Sequence, residues 1–143
     1  MLKSILKTFF IITTLFLVSS TALAVAPLPT PNGNGDYSGN VGYEKWIVVD
    51  PDPNGLNCRW SEQAPKEWYA PDANIPNWNI GQWPVVRRFK KDTSSQYLTA
   101  NLTPGGFATV TDELGKPWLK VSIGSDEEIC LVRANADYVQ PVN

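Results

Sequence analysis

The chain has 143 residues, of which 43% are hydrophobic, and it carries a formal net charge of −2 without a single histidine. A mildly acidic chain is a poor general ligand of nucleic acid or of anionic lipid. The lack of histidine excludes the usual Ser-His-Asp and Cys-His nucleophile systems and removes the commonest zinc ligand. The length predicts one domain.

Residues 1–24 have the order of a secretory signal peptide. A basic start at 1–7 precedes an apolar run over 8–18, and small residues stand at Ala22 and Ala24. The run is shorter than the ~20 apolar residues of a membrane helix. We therefore expect cleavage after Ala24, a secreted or periplasmic protein, and no membrane span in the mature chain. A retained N-terminal anchor is the alternative.

Residues 25–42, VAPLPTPNGNGDYSGNVG, are rich in proline and glycine and have no apolar period. This composition predicts a flexible or semi-extended linker. The folded domain is expected to span residues 43–143.

Strand signals dominate this predicted domain, and no segment has a convincing helical period. Turn-forming residues separate runs that are β-branched, apolar or alternating. Short strands at such spacing predict a small antiparallel barrel or sandwich. The predicted strands are 46–49, 84–90, 106–111, 118–123 and 129–133.

The stretch DPDPNG at 50–55 begins like a calcium-binding loop, with Asp50, Asp52 and Gly55 at the first, third and sixth places. Such a loop needs a bidentate carboxylate at its twelfth place, where this chain has Ser61. A sharp turn explains the sequence better, because proline fixes φ and Asn-Gly accepts positive φ. A looser cation site at Asp50 and Asp52 stays open.

Cys58 and Cys130 are the only cysteines. In an exported protein two cysteines predict a disulfide. By closing a long loop, this disulfide would stabilise the folded state by roughly 4 kcal/mol. Two buried free thiols are the alternative. Leu56 and Cys58 are expected to point inward from a strand that follows the turn.

Residues 61–83 are long for a loop in a compact domain, and such loops are usually functional. They contain Trp68, Trp78 and Trp83. These aromatic side chains form either a satellite cluster that holds the loop on the domain or a platform for sugar rings or an extended peptide.

The charged clusters do not predict catalysis. Asp50 with Asp52 and Asp112 with Glu113 lie in predicted turns, where carboxylates are expected to be solvated, whereas the general acid of a glycosidase lies in a pocket. The basic stretch 87–91 is interpreted as a solvated sheet edge or as a patch for an anionic cell-wall polymer. No enzyme activity, cofactor or metal is therefore predicted.

Three motifs together resemble the bacterial SH3-like (SH3b) domain family. DPDPNGLNCR at 50–59 resembles its "DP-x-G-LNVR" motif, and GKPWLKV at 115–121 resembles its "G-x-W-x-KV" strand. CLVRANADYVQP at 130–141 is similar to its closing "GWV-x-x-x-YV" segment. The resemblance implies an all-β, SH3-like barrel of about five antiparallel strands, with a long Trp-rich loop insertion at 61–83.

The resemblance also implies that Cys58 and Cys130 lie on neighbouring strands, and it assigns Trp118 and Tyr138 to a ligand groove, although Trp118 could equally be a core residue. The sequence thus predicts an exported, non-catalytic module that recognises cell-envelope material, either peptidoglycan or a peptide. The predicted ligand-binding residues are Trp68, Trp78, Trp83, Trp118 and Tyr138. Alternatives are an assembly protein that docks on another exported protein and, less favoured, a small carboxylate hydrolase.

Overall fold

A computed structural model describes residues 27–38, 42–62, 64, 78–91, 97–102, 108–123 and 128–143. The predicted signal peptide, residues 1–24, and the predicted ligand residue Trp68 lie outside these ranges. Within them, no helix has the length and apolar character needed to cross a membrane.

The described residues form an all-β structure of eight strands, and a 3-10 helix at Ile80–Gln82 precedes the third. The five segments predicted from the sequence all contain a strand. The strands are β1 (Lys45–Val48), β2 (Leu56–Arg59), β3 (Val85–Phe89), β4 (Leu98–Thr99), β5 (Thr109–Thr111), β6 (Pro117–Ser122), β7 (Ile129–Arg133) and β8 (Val139–Pro141).

The strands build two antiparallel sheets. The larger sheet has the order β3-β2-β7-β6-β5, and the smaller has the order β4-β1-β8. Ala100, directly after β4, forms an isolated bridge with Val121 of β6 and so connects the two sheets. Among the described strands β3 and β5 remain the outer strands of the larger sheet, and no closed barrel is seen.

The main core contains side chains from both sheets. Alternate residues of β2 and β7 enter it, including Leu56 and Cys58, which point inward as predicted. Cys58 and Cys130 form the predicted disulfide, with their Cα atoms 5.6 Å apart. Trp46 of β1 is fully buried in the same cluster.

A second core lies on the larger sheet and is formed with the segment around the 3-10 helix. Ile80 and Trp83 from this segment are buried against Val110, Trp118 and Leu131. The larger sheet therefore has buried side chains on both faces at its centre. This explains why β6 is buried from Pro117 to Val121, although its sequence alternates apolar and polar residues.

The turn interpretation of residues 50–55 agrees with the structure. The Asp50 and Asp52 carboxylates accept hydrogen bonds from the backbone N–H groups of Asp52 and Asn54, at 2.9 and 2.8 Å. Gly55 has φ of +89°, and a Cβ there would lie 2.7 Å from the carbonyl oxygen of Phe89. Glycine is required because any side chain would meet the backbone of the neighbouring strand.

Part of the predicted linker packs on the domain instead of leading up to it. Tyr37 is buried, and its ring meets that of Trp46 edge to face at 5.0 Å between centroids. Asp36 pairs with Arg133 at 2.6 Å and bridges Asn135. The proline and glycine content of the segment does not predict these contacts, because Asp36 and Tyr37 pack against residues that are distant in the sequence.

Candidate functional site

A groove of about 250 Å³ opens between the turn at 50–55, the start of β6 and the turn that precedes β8. It brings together the two residues that the family resemblance assigned to a groove, Trp118 and Tyr138. Four charged residues also line it. They are Asp50, Arg59, Lys116 and Arg133.

Trp118 is fixed by a buried carboxylate. Its indole N–H donates a hydrogen bond of 2.9 Å to Oδ2 of Asp112, which is only 2% exposed. Oδ1 of Asp112 accepts from the backbone N–H groups of Leu114 and Lys116, at 3.0 and 2.9 Å. One carboxylate therefore shapes the β5–β6 turn, orients the indole and positions Lys116. Trp118 itself is 5% exposed, so it contributes mainly the floor of the groove.

Tyr138 supplies an accessible aromatic side chain at the groove. It ends the turn that follows β7, and its carbonyl oxygen accepts hydrogen bonds from the backbone N–H groups of Val49 and Asp50. Its side chain is 36% exposed. The backbone contacts hold the residue in place while the ring remains available, which is the arrangement that a binding surface needs.

The two groove arginines are held by backbone carbonyl groups. Arg59 donates a hydrogen bond of 2.7 Å to the carbonyl oxygen of Trp83, and Arg133 donates one of 2.6 Å to that of Pro117. Burial, together with the charge of Arg88, lowers the pKa of the Arg59 guanidinium. Burial disfavours a charged group, so a bound anion would relieve an unfavourable environment at Arg59.

The groove is positively charged on a chain that is negatively charged as a whole. Three cations and one carboxylate line it. Within the described ranges the structure contains one ion pair, between Arg133 and Asp36, so neither Arg59 nor Lys116 has a described carboxylate within ion-pair distance. A cationic groove with an aromatic floor suits a ligand that combines an anionic group with flat or apolar surface.

Of the remaining predicted ligand residues, Trp78 and Trp83 do not line the groove, and Trp68 lies outside the described residues. Trp83 is buried in the second core and meets the half-buried Trp78 edge to face at 5.3 Å. These contacts agree with the satellite-cluster interpretation of the two side chains. Trp83 nevertheless contributes to the groove, because its carbonyl oxygen accepts the hydrogen bond that positions Arg59.

The basic stretch 87–91 begins on β3, one of the two outer strands described for the larger sheet, and its four basic side chains are exposed, whereas Phe89 is half-buried. Arg87 donates a hydrogen bond to the carbonyl oxygen of Ile123, and Arg88 donates one to Asn57. This position agrees with the interpretation of the stretch as a solvated sheet edge. This basic stretch does not line the groove, whose cations come from other positions.

Sequence reasoning missed Arg59, Lys116 and Arg133. Each follows or lies within one of the three family-like motifs, but they are about 57 and 17 residues apart along the chain. Arg59 and Arg133 are the last residues of β2 and β7, and Lys116 directly precedes β6, so their one local signal is a cation beside or at the end of an otherwise apolar or alternating strand. Only the pairing of β2 with β7, and of β7 with β6, brings them to one groove.

The part of the chain that the structure describes has no group of three or more His, Cys, Asp or Glu side chains able to hold a metal ion. No family model, curated protein or solved structure matches this chain.

Proposed function

We propose that this chain is an exported, non-catalytic binding module that recognises cell-envelope material, peptidoglycan or a peptide, through the groove at Trp118 and Tyr138. The observation that carries the proposal is this groove, in which an aromatic floor, an exposed tyrosine and three cations converge. Concave sites with a few converging polar groups are the usual form of a ligand site.

We further propose that the two sheets are an SH3-like barrel of the SH3b type. The three resembling motifs occupy β2, β6, and the continuous segment of β7, turn and β8. The bridge from Ala100 to Val121 supports this interpretation, because it continues the smaller sheet onto β6 of the larger one. The 61–83 segment would then be an insertion that contributes the second core.

Export is proposed from the sequence of residues 1–24 and is supported by the Cys58–Cys130 disulfide. Disulfides persist in oxidising compartments and are rare in the cytosol. Asp50 and Asp112 are buried and not solvated as their turn positions predicted. The absence of catalysis is proposed because these turn carboxylates already have structural partners. Asp50, Asp52 and Asp112 all accept hydrogen bonds from turn backbone.

The test is co-sedimentation of the oxidised protein with purified peptidoglycan at low and moderate salt. The informative variant is Tyr138→Ala, because the side chain is exposed while the structural contacts of this residue are made by its backbone. Truncating an aromatic contact residue should weaken binding about 5- to 30-fold. Tyr97→Ala is the matched control, since Tyr97 is exposed and does not line this groove.

Loss of pelleting for Tyr138→Ala, with Tyr97→Ala like the wild type, would support the proposal. Equal pelleting of all three proteins would exclude the groove as the polymer site. No pelleting of the wild type would exclude peptidoglycan as the ligand, and cross-linking would then be used to search for an exported protein partner.

A further inference from the structure

The charges of the groove indicate which chemical group its ligand carries, and this inference rests on the proposed binding function. We propose that the groove binds a peptide-like ligand through a carboxylate group, which Arg59, Lys116 and Arg133 hold.

The cations are arranged without a matching set of protein carboxylates. Of the three, Arg133 has an ion-pair partner in the described structure, Asp36. Arg59 is half-buried. Burial and the nearby charge of Arg88 both lower its pKa, because both disfavour the ionised guanidinium. A carboxylate from a ligand would supply the missing favourable interaction, because guanidinium groups bind carboxylates with directional, charge-assisted hydrogen bonds.

Lys116 adds an exposed cation at the rim. Its backbone is fixed by two hydrogen bonds with Asp112, since its N–H donates to the Asp112 side chain and its carbonyl accepts from the Asp112 N–H. Its side chain is exposed. A lysine on a rigid turn beside two arginines attracts an anion over a longer range and adds to the rate of association.

Asp50 favours a peptide over a simple anion. Asp50 is one of the residues that line the groove with the three cations, and its Oδ1 already accepts the N–H of Asp52. A small multivalent anion such as phosphate would gain nothing from this negative group, whereas a peptide can donate its backbone N–H groups to it while its carboxylate meets the cations. The groove volume of about 250 Å³ suits a short segment of chain.

The experiment compares two probes with ¹⁵N-labelled, oxidised protein. The probes are N-acetyl-trialanine with a free terminal carboxylate and the same peptide as its terminal amide. We expect the indole N–H of Trp118 and the amide of Lys116 to shift on titration, with the free acid binding about tenfold more tightly than the amide. Lys116→Gln should reduce this preference about two- to fivefold. Lys45→Gln, an equal charge change on the smaller sheet, should leave it unaltered.

Equal affinity for acid and amide, shifts confined to other surfaces, or no response to either peptide would overturn the carboxylate inference. So would inorganic phosphate binding more tightly than the free acid. Failure of the carboxylate inference can be distinguished from failure of the proposed binding to peptidoglycan. Preference for the free acid without peptidoglycan pelleting would retain the carboxylate site and reject the polymer, and pelleting without such a preference would do the reverse.

Discussion

The buried Lys120 is predicted to make the stability of this protein rise with pH in the mildly alkaline range. Lys120 lies in β6 opposite Leu131 of β7, and it is 0% exposed. Desolvation lowers its pKa from 10.5 to about 8. A lowered lysine pKa means that the unfolded chain binds more protons than the folded one between pH 8 and 10.5. The free energy of unfolding therefore rises with pH through this window and is flat below it.

The size of the effect follows from the pKa difference. Each pKa unit corresponds to about 1.4 kcal/mol, so the charged side chain costs the folded state about 3 kcal/mol at neutral pH. About 2 kcal/mol of this cost is removed between pH 7 and 9.5. Burial raises the pKa of Tyr37, and its ionisation in the unfolded chain would lower stability above pH 10. The measurement should therefore stop at pH 9.5.

Urea unfolding at several pH values, followed by tryptophan fluorescence, measures the free energies of the wild type and of Lys120→Met. The difference between the two proteins should shrink by about 2 kcal/mol from pH 7 to 9.5, because the methionine variant lacks the titrating group. Lys45→Met, at an exposed position, should instead run parallel to the wild type. Parallel curves for Lys120→Met and the wild type would refute a buried lysine with a lowered pKa.

Two further predictions concern the cross-link and the N-terminal segment. Replacing Cys58 and Cys130 by serine opens a loop with a sequence separation of 72 and should cost about 4 kcal/mol in the chain-entropy model; a change below about 1 kcal/mol, measured by urea unfolding, would contradict it. Tyr37→Ala should cost about 3 kcal/mol by leaving a cavity beside Trp46, and unchanged unfolding would show that this segment is the linker that its composition suggests.

Local sequence pattern was sufficient for the longer strands. β6 and β7 each carry five or six residues with apolar side chains at alternate positions or in a run, and both were predicted with bounds close to those observed. β4 and β8 were missed because they have two and three residues. Their strand conformation is set by pairing with β1, and no local pattern of two or three residues can predict such pairing.

The same limit applies to burial. A strand with alternating residues is normally half-buried, so the sequence of β6 indicates that Lys120 faces solvent. In the structure Lys120 is buried because the sheet is covered on its second face, where Ile80 and Trp83 pack. The tryptophan content of residues 61–83 predicts order, but which sheet face the described residues Ile80 and Trp83 cover depends on tertiary packing.

Predicting the groove requires both local sequence pattern and knowledge of tertiary packing. The family-like motifs identified Trp118 and Tyr138, whose aromatic side chains stand out in the sequence. The three cations were not predicted because arginine and lysine are common at strand ends, and their proposed role depends on which strands become neighbours. Asp112 connects the aromatic floor of the groove to one of its cations, because the hydrogen bonds that shape the β5–β6 turn also fix the Trp118 indole and the Lys116 backbone. The β5–β6 turn therefore belongs to the proposed binding site, because it fixes both the floor of the groove and the backbone of one of its cations.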